Sequence, residues 1–222
     1  MKILNRTHLL AIAGGTLLAL TACKKDKEEL APLPEPSSSF TITDIGNNTN
    51  KVEGTTAANF TFSSDKQWLL QSFVYVENGA TLTIEPGTII KGDKNSKGTL
   101  IIKRGAKIIA EGSASEPIVF TSNQPAGSRD YGDWGGVIIC GRAGNNQPGG
   151  EALIEGGPNV YYGGGSNPND ADNSGTMRYV RIEFPGIAFQ PDQEINGLTL
   201  GAVGSGTTLD HIQVSYSGDD SY

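Results

Sequence analysis

The segments MRYVRIEFPG (residues 177–186) and LDHIQVSYSG (residues 209–218) are two copies of one pattern. They are offset by 32 residues, and their aliphatic and aromatic positions and their closing glycines coincide. Repeats of about 20 to 50 residues are typical of solenoids, in which each repeat packs on the next. This pair therefore predicts that the chain winds into stacked, similar turns.

Short β-rich runs fill the chain from residue 40 onward, and no segment has a convincing helical period. Each run is bounded by Gly, Asn, Asp or Pro, which predicts an all-β chain. Similar glycine turns at residues 78–82, 86–90 and 104–108 lead into successive strands. The predicted strands are residues 60–62, 68–70, 73–76, 81–84, 88–90, 100–102, 107–109, 118–120 and 137–139.

Alternation within the strands predicts which side chains face the interior of a β-solenoid. The inward set is Leu82, Ile84, Leu100, Ile102, Ile182 and Val214, and the outward set is Thr81, Thr83, Lys103, Arg181 and Gln213. An antiparallel β-sandwich also uses many short strands, but the aligned repeats favour the solenoid. The glycine-rich residues 149–175 predict a long excursion between turns.

The N-terminus has the features of a cleavable lipoprotein leader. Lys2 and Arg6 precede a short apolar run that ends in Leu20-Thr21-Ala22-Cys23, which looks like a bacterial lipobox. About 14 apolar residues are too few to span a hydrocarbon core of roughly 30 Å. We expect residues 1–22 to be a signal peptide and Cys23 to carry the lipid; the alternative is a soluble export signal with a chance cysteine.

A charged and Pro/Ser-rich stretch follows the cysteine, so we expect residues 23–39 to form a disordered tether and residues 40–222 to form the β-helix domain. The Lys and acidic residues directly after Cys23 resemble the retention signals that route some lipoproteins to the outer face of the outer membrane. A solvated linker without routing content is the equal alternative. The expected location is the outer membrane, with exposure at the cell surface.

Charge and cysteine content exclude several classes of function. Removal of the leader takes away Lys2 and Arg6 and no acidic residue, which changes the formal net charge from −7 to −9. An acidic chain without a basic patch predicts no nucleic-acid partner, and its attachment to a membrane must come from the anchor. With Cys23 lipidated, only Cys140 remains, which we expect to be a small core residue rather than a catalytic thiol.

Four motifs, at residues 85–92, 117–122, 132–136 and 216–221, resemble a family of secreted or surface bacterial lipoproteins. The resemblance covers Val52 to Tyr222. It implies an all-β fold, a right-handed single-stranded parallel β-helix of the pectate-lyase-like superfamily, and a surface address without an established activity. Relatives continue for further turns after the Gly-Asp-Asp motif, so we expect a domain truncated at its C-terminus, or a partner chain that covers that end.

Asp219 and Asp220 are the strongest enzymatic candidates. Gly218-Asp219-Asp220 is similar to the paired-aspartate motif of β-helical polygalacturonases, in which two carboxylates act as acid and base in inverting hydrolysis. The preceding Asn-Thr-Asp motif of those enzymes is missing, since the corresponding residues 194–198 read EINGL. Aspartates that cap backbone amides in a turn are the favoured interpretation.

Asp170 and Asp172 lie in Asp-Ala-Asp-Asn-Ser-Gly, residues 170–175, which resembles the start of a calcium loop. The twelfth position of such a loop would be Arg181 instead of the bidentate glutamate that the site requires. A polar loop is therefore favoured, and we expect neither a metal nor a cofactor.

Several aromatic side chains have the chemistry to stack on sugar rings if they are exposed: Trp134, Tyr161, Tyr162, Tyr179 and Tyr216. Trp134 lies between glycines and is expected to be a packing anchor instead. We predict a lipid-anchored, non-catalytic protein of the outer membrane or cell surface, adhesive or in contact with extracellular polysaccharide. The alternative is a polysaccharide-degrading enzyme, a hydrolase or lyase that uses Asp219 and Asp220.

Overall fold

A computed structural model describes residues 39–191 and 193–222. The predicted signal peptide, Cys23 and nearly all of the predicted tether lie outside the described residues. Apart from one 3₁₀ turn at Pro148–Gly150, the elements are strands. In the part of the chain that the structure describes, no helix has the length and apolar character needed to cross a membrane.

Thirteen strands form one hydrogen-bonded system that winds into a parallel β-helix with three faces. Strand β1 (Thr41–Asp44) pairs antiparallel with β2 at the N-terminal end, and the other pairs of this system are parallel. Because successive turns pair in parallel, the structure confirms the parallel β-helix and excludes the antiparallel sandwich.

Each turn of the chain visits face 1, then face 2, then face 3. Face 1 contains the first halves of β2 (Thr49–Thr56) and β4 (Gln67–Val76), then β6 (Ile89–Gly92), β9 (Ile118–Ser122) and the second halves of β13 (Gly175–Glu183) and β17 (Thr208–Ser215). Face 2 contains the second halves of β2 and β4, then β7 (Thr99–Ile102), β10 (Gly136–Cys140) and β16 (Leu198–Gly201). Face 3 contains β3 (Phe60–Phe62), β5 (Thr81–Ile84), β8 (Lys107–Glu111) and the first halves of β13 and β17.

The two sequence repeats are neighbouring turns of this helix. Met177 lies opposite Leu209, and Ile182 lies opposite Val214, in the register that the alignment predicts. Each repeat turns a corner within one strand, at Tyr179 (φ 49°) and His211 (φ 53°). The left-handed backbone at these two positions lets one strand contribute to both face 3 and face 1.

The core consists of ladders of apolar side chains inside the helix. Trp68, Ile90, Phe120 and Ile182 lie in register on face 1, and Val74, Leu100, Val137 and Leu198 lie in register on face 2. The predicted inward side chains are buried or, for Val214, half-buried, and the predicted outward side chains are half-buried or exposed. Each fully buried aliphatic side chain contributes about 1.5 to 3 kcal/mol.

The loop between β9 and β10 inserts a side chain into the core. Trp134 is fully buried, and its indole Nε1 donates to the backbone oxygen of Glu183 (2.8 Å). A Cβ at Gly92 would overlap Trp134, so this glycine makes the room that the indole occupies. The prediction that Trp134 is a packing anchor is thus confirmed.

Two hairpins cover the outer side of face 2. The first, β11 (Ala152–Leu153) with β12 (Tyr161–Tyr162), belongs to the predicted glycine-rich excursion; the second is β14 (Ala188–Gln190) with β15 (Gln193–Glu194). The hairpins and the outward side chains of face 2 together form a second apolar cluster. Its buried members are Ile101, Ile138, Cys140, Ile154, Val160 and Ile195. Face 2 is therefore packed on both sides.

Candidate functional site

Asp219 and Asp220 follow β17, at the corner where face 1 leads into face 2. Both side chains are exposed, and within the described residues neither carboxylate has a hydrogen bond or an ion pair. The backbone oxygen of Asp220 accepts from the N–H of Gly197 (3.0 Å) and from Ser217 Oγ (3.2 Å). The observed contacts of Asp220 are thus those of a turn residue.

The carboxylates of Asp170 and Asp172 each accept a hydrogen bond. Asp170 Oδ1 accepts from the N–H of Gly144 (2.9 Å), and Asp172 Oδ2 accepts from Ser174 Oγ (3.2 Å). Among residues 39–191 and 193–222, no group of three or more His, Cys, Asp or Glu side chains is arranged to hold a metal ion. The Asp170 contact links the excursion to the segment that precedes it, and the Asp172 contact lies within the excursion.

Cys140 is fully buried in the outer cluster of face 2. Burial raises the pKa of its thiol to about 12, despite the opposing charges of Arg104 and Lys103. His211, which could otherwise serve as a base for a thiol, lies on the outside of another corner, where its Nδ1 is 2.6 Å from Asp210 Oδ1. A thiol with so high a pKa stays protonated near neutral pH, which agrees with a core role for Cys140.

A cleft opens at the C-terminal ends of the face 1 strands, next to the corner that carries Asp219. Its lining contains Ala126, Gly127, Arg129, Asp130, Glu183, Phe184 and Tyr216, and its volume is about 560 Å³. The Tyr216 and Phe184 rings stack with centroids 5.1 Å apart and an angle of 9° between their planes. Tyr216 is 69% exposed, so one face of the pair is open to a ligand. We call this site the aromatic cleft.

The Trp134 loop fixes one wall of the aromatic cleft. Asp133 donates its N–H to the backbone oxygen of Phe184 (3.0 Å), and its own buried carboxylate holds the preceding turn. That carboxylate accepts from Lys94 Nζ (2.7 Å), from Ser122 Oγ (2.6 Å) and from the N–H of Asp130 (3.0 Å). Burial would raise the pKa of Asp133, but these hydrogen bonds outweigh burial and lower it.

Both signs of charge occur beside the stacked rings. Arg129 donates from Nε to the backbone oxygen of Gln124 (3.1 Å) and from Nη1 to Thr121 Oγ1 (3.3 Å). Glu183 accepts from Thr121 and lies 3.5 Å from Arg181 Nε. On the same face, burial and then the charge of Arg129 lower the pKa of Lys91. The aromatic cleft thus offers donors and acceptors around an apolar platform.

A second depression lies between the two hairpins over β16, and we call it the hairpin groove. Its lining is Gln147, Ala152, Leu153, Ile154, Glu155, Tyr162, Glu194, Ile195, Asn196, Thr199, Leu200 and Gly201, and its volume is about 430 Å³. Leu153 is 47% exposed; Leu200 is 38% exposed, but it lies opposite the core residue Ile139, so its side chain is on the inner side of face 2. No candidate residue from the sequence except Tyr162 lines this groove.

Of the aromatic residues flagged in the sequence, the structure leaves two well exposed. Tyr216 lines the aromatic cleft, and Tyr161 is half exposed on the first hairpin, where Arg104 lies over its ring. Tyr162 and Tyr179 are half-buried. Arg129 and Phe184 were not identified from the sequence; the only signal for Phe184 was its alignment with Tyr216 in the repeat.

Comparison with known proteins identifies a family of β-helix domains. The family model described as "Pectate-lyase like beta helix domain" matches residues 54–222. No curated protein and no solved structure matches the chain. The matched range covers almost the whole described domain and agrees with the three-faced parallel helix, so the chain belongs to the family of pectate-lyase-like β-helix domains.

Proposed function

We propose that this protein is a non-catalytic β-helix, anchored by lipid at Cys23 and displayed at the outer membrane or cell surface, where it contacts extracellular glycans. The observation that carries the proposal is the stacked Phe184 and Tyr216 pair in the aromatic cleft. The alternative function, polysaccharide cleavage, requires Asp219 and Asp220 as the acting carboxylates.

The chemistry of the aromatic cleft suits a sugar. One face of a sugar ring is rich in C–H groups and packs on an aromatic plane, while its hydroxyls need donors and acceptors at the edge. Tyr216 supplies the exposed plane, and Arg129, Asp130 and Glu183 supply the polar edge. Phe184 supports Tyr216 from beneath, which reduces the conformational entropy lost when a ligand binds.

The contacts of the aspartate pair favour binding over cleavage. Asp220 helps to close the corner through its backbone oxygen, and both carboxylates point into a corner that is open to solvent. Inverting hydrolysis needs one carboxylic acid with a raised pKa and a second carboxylate placed across a bound water. Adjacent exposed aspartates are a poor basis for that arrangement.

The proposed location at the cell surface rests on the sequence alone. A lipobox-like Leu20-Thr21-Ala22-Cys23 and a tether of about 15 to 20 residues would hold the β-helix clear of the headgroups. The acidic chain would be repelled by anionic lipid, so the lipid is the proposed attachment.

A polysaccharide panel tests the proposal. The full chain, purified in detergent, is incubated with neutral, acidic and amino polysaccharides, and both retention and the release of new reducing or unsaturated ends are scored. Binding without new ends is the expected result. Turnover that disappears in Asp220→Asn would replace the proposal with the enzymatic alternative, and no binding to any member of the panel would contradict it.

A further inference from the structure

We propose that the glycan bound at the aromatic cleft carries a phosphate monoester, and that Lys91 and Arg129 bind this group on the outer side of face 1. The inference rests on the proposed function, because it assigns the charge and the direction of the same ligand. It is carried by the row of side chains that joins Lys91 to the cleft, by the proximity of the two cations, and by the charges around them.

A row of outward polar side chains connects the aromatic cleft with Lys91. Ser215, which precedes Tyr216, lies opposite Glu183 on the neighbouring strand. Thr121 Oγ1 donates to Glu183 Oε2 (3.1 Å), and Thr121 lies opposite Lys91. Because neighbouring strands lie about 4.8 Å apart, the row is about 14 Å long. A glycan of a few sugar residues that runs along the helix axis would therefore contact both Tyr216 and Lys91.

Arg129 brings a second positive charge close to Lys91. Its Nη1 donates to Thr121 Oγ1 (3.3 Å), which belongs to the side chain directly opposite Lys91. After burial, the charge of Arg129 is the next cause of the lowered pKa of Lys91, as expected for two cations that are near each other. Arg129 also lines the aromatic cleft. The two cations therefore lie where the row meets the cleft.

Two carboxylates near this pair have other partners. Glu183 lies 3.5 Å from Arg181 Nε, and Asp130 Oδ1 accepts from the N–H of Tyr131 (2.9 Å). Within residues 39–191 and 193–222, neither Lys91 nor Arg129 has an ion pair. The guanidinium of Arg129 is fixed by its bond to the backbone of Gln124, yet retains further N–H groups for a ligand. The pair thus offers positive charge on the surface of an acidic chain.

Two adjacent cations suit a ligand group with more than one negative charge. A phosphate monoester carries a charge of about −1.5 to −2 at neutral pH and has three strong acceptor oxygens. A carboxylate carries a single charge and is satisfied by one arginine. Beside Lys91, the outward side chains of Ile89 and Val119 are partly exposed, and they provide an apolar surface for the sugar that bears the phosphate.

Affinity electrophoresis with the full chain tests the charge of the ligand. Each member of the polysaccharide panel is used unmodified, phosphorylated, and carboxymethylated to the same total charge. For the member that binds, we expect the phosphorylated form to bind about tenfold or more tightly than the unmodified form, and the carboxymethylated form to gain less. No gain from phosphate, or an equal gain from carboxymethyl groups, would overturn this inference while leaving the proposed function standing. No binding of any form would contradict both.

Matched variants locate the phosphate site. Lys91→Gln should remove most of the gain from phosphate, whereas Lys91→Arg keeps the charge and should keep most of the gain. Lys107→Gln removes the same charge from an exposed position on face 3 and should keep the whole gain. An equal loss in Lys91→Gln and Lys107→Gln would mean non-specific attraction and would overturn the site. A loss in Lys91→Arg as large as in Lys91→Gln would also contradict it.

Competition identifies the source of the phosphate. Inorganic phosphate and phosphatidylcholine vesicles that contain phosphatidic acid present the group without a sugar chain. We expect each to displace the phosphorylated polysaccharide only at a phosphate concentration about tenfold or more above that of the polysaccharide, since neither contacts Tyr216. Displacement by either competitor at an equal phosphate concentration would overturn the assignment to a glycan.

Discussion

Tyr179 and His211 stack with ring centroids 4.3 Å apart, at the same corner of two successive turns. Both residues have a left-handed backbone, and they occupy equivalent positions of the sequence repeat. The stack shows how the repeat builds the helix: each copy bends at its aromatic residue, and the bends lie directly over one another. The same relationship joins Phe184 and Tyr216, the pair that forms the platform of the aromatic cleft.

Substitutions at His211 should differ in their effect on stability according to whether the new residue tolerates a left-handed backbone. His211→Asn and His211→Val both remove the ring from Tyr179, but asparagine tolerates a φ of 53° and valine does not. We expect the valine variant to unfold about 1 to 2 kcal/mol more easily than the asparagine variant. Urea unfolding of the two proteins measures the difference; equal stabilities would contradict a backbone role for this corner.

Gly92 should be intolerant of even one methyl group. Gly92→Ala places a Cβ on the side chain of Trp134, which is fully buried in the core. The expected loss is about 1 to 3 kcal/mol of unfolding free energy. Trp134→Leu alone should also destabilise the protein, but the double variant should lose less than the sum of the two. Strict additivity in this cycle would mean that the glycine and the indole do not share one space.

The ionisation of Asp133 should make the stability of the folded protein depend on pH. Its pKa is lowered in the folded protein from the ordinary 3.8, chiefly by hydrogen bonds from Lys94 and Ser122 that overcome burial. The stabilisation is therefore present above about pH 4 and is lost as the pH falls through the lower, folded-state pKa. Asp133→Asn should cost about 1 to 3 kcal/mol at neutral pH. In thermal unfolding from pH 6 to pH 2, the variant should lose less stability than the wild type, and parallel curves would exclude this carboxylate as the cause.

Cys23 should be needed for the membrane and not for the fold. Cys23→Ala removes the proposed lipid attachment, so the variant should partition into the aqueous phase of a detergent extraction while the wild type enters the detergent phase. Its unfolding midpoint should equal that of the wild type. A variant that stays in the detergent phase would show that the leader was misinterpreted.

The architecture could be predicted because its signals are local. The inward ladder of face 3 includes Leu82 and Ile84, whose alternation is visible within four residues. The 32-residue offset fixes the register of Met177 on Leu209. Strand β2 was missed because its sequence, TNKVEGTT, is mostly polar. It is a strand since β4 lies beside it and supplies the hydrogen-bonding partners.

Only part of the candidate site could be predicted from the sequence. Tyr216 could be flagged as an aromatic side chain, but its exposure depends on the turn of the backbone at φ 55°. Arg129 reaches the aromatic cleft because Asp133 and Trp134 anchor its loop, and that anchoring involves Lys94 and Glu183, which are distant in sequence. Contacts of this kind are not encoded in any local pattern.

The affinity of the full chain for the tightest-binding member of the polysaccharide panel decides whether the aromatic cleft is the glycan site. Tyr216→Ala removes the exposed ring of the stacked pair, and Tyr161→Ala removes a comparably exposed tyrosine on the first hairpin. We expect affinity electrophoresis to show a loss of about tenfold or more for Tyr216→Ala and no change for Tyr161→Ala. Unchanged binding by Tyr216→Ala, or an equal loss in both variants, would contradict the proposed function of the cleft.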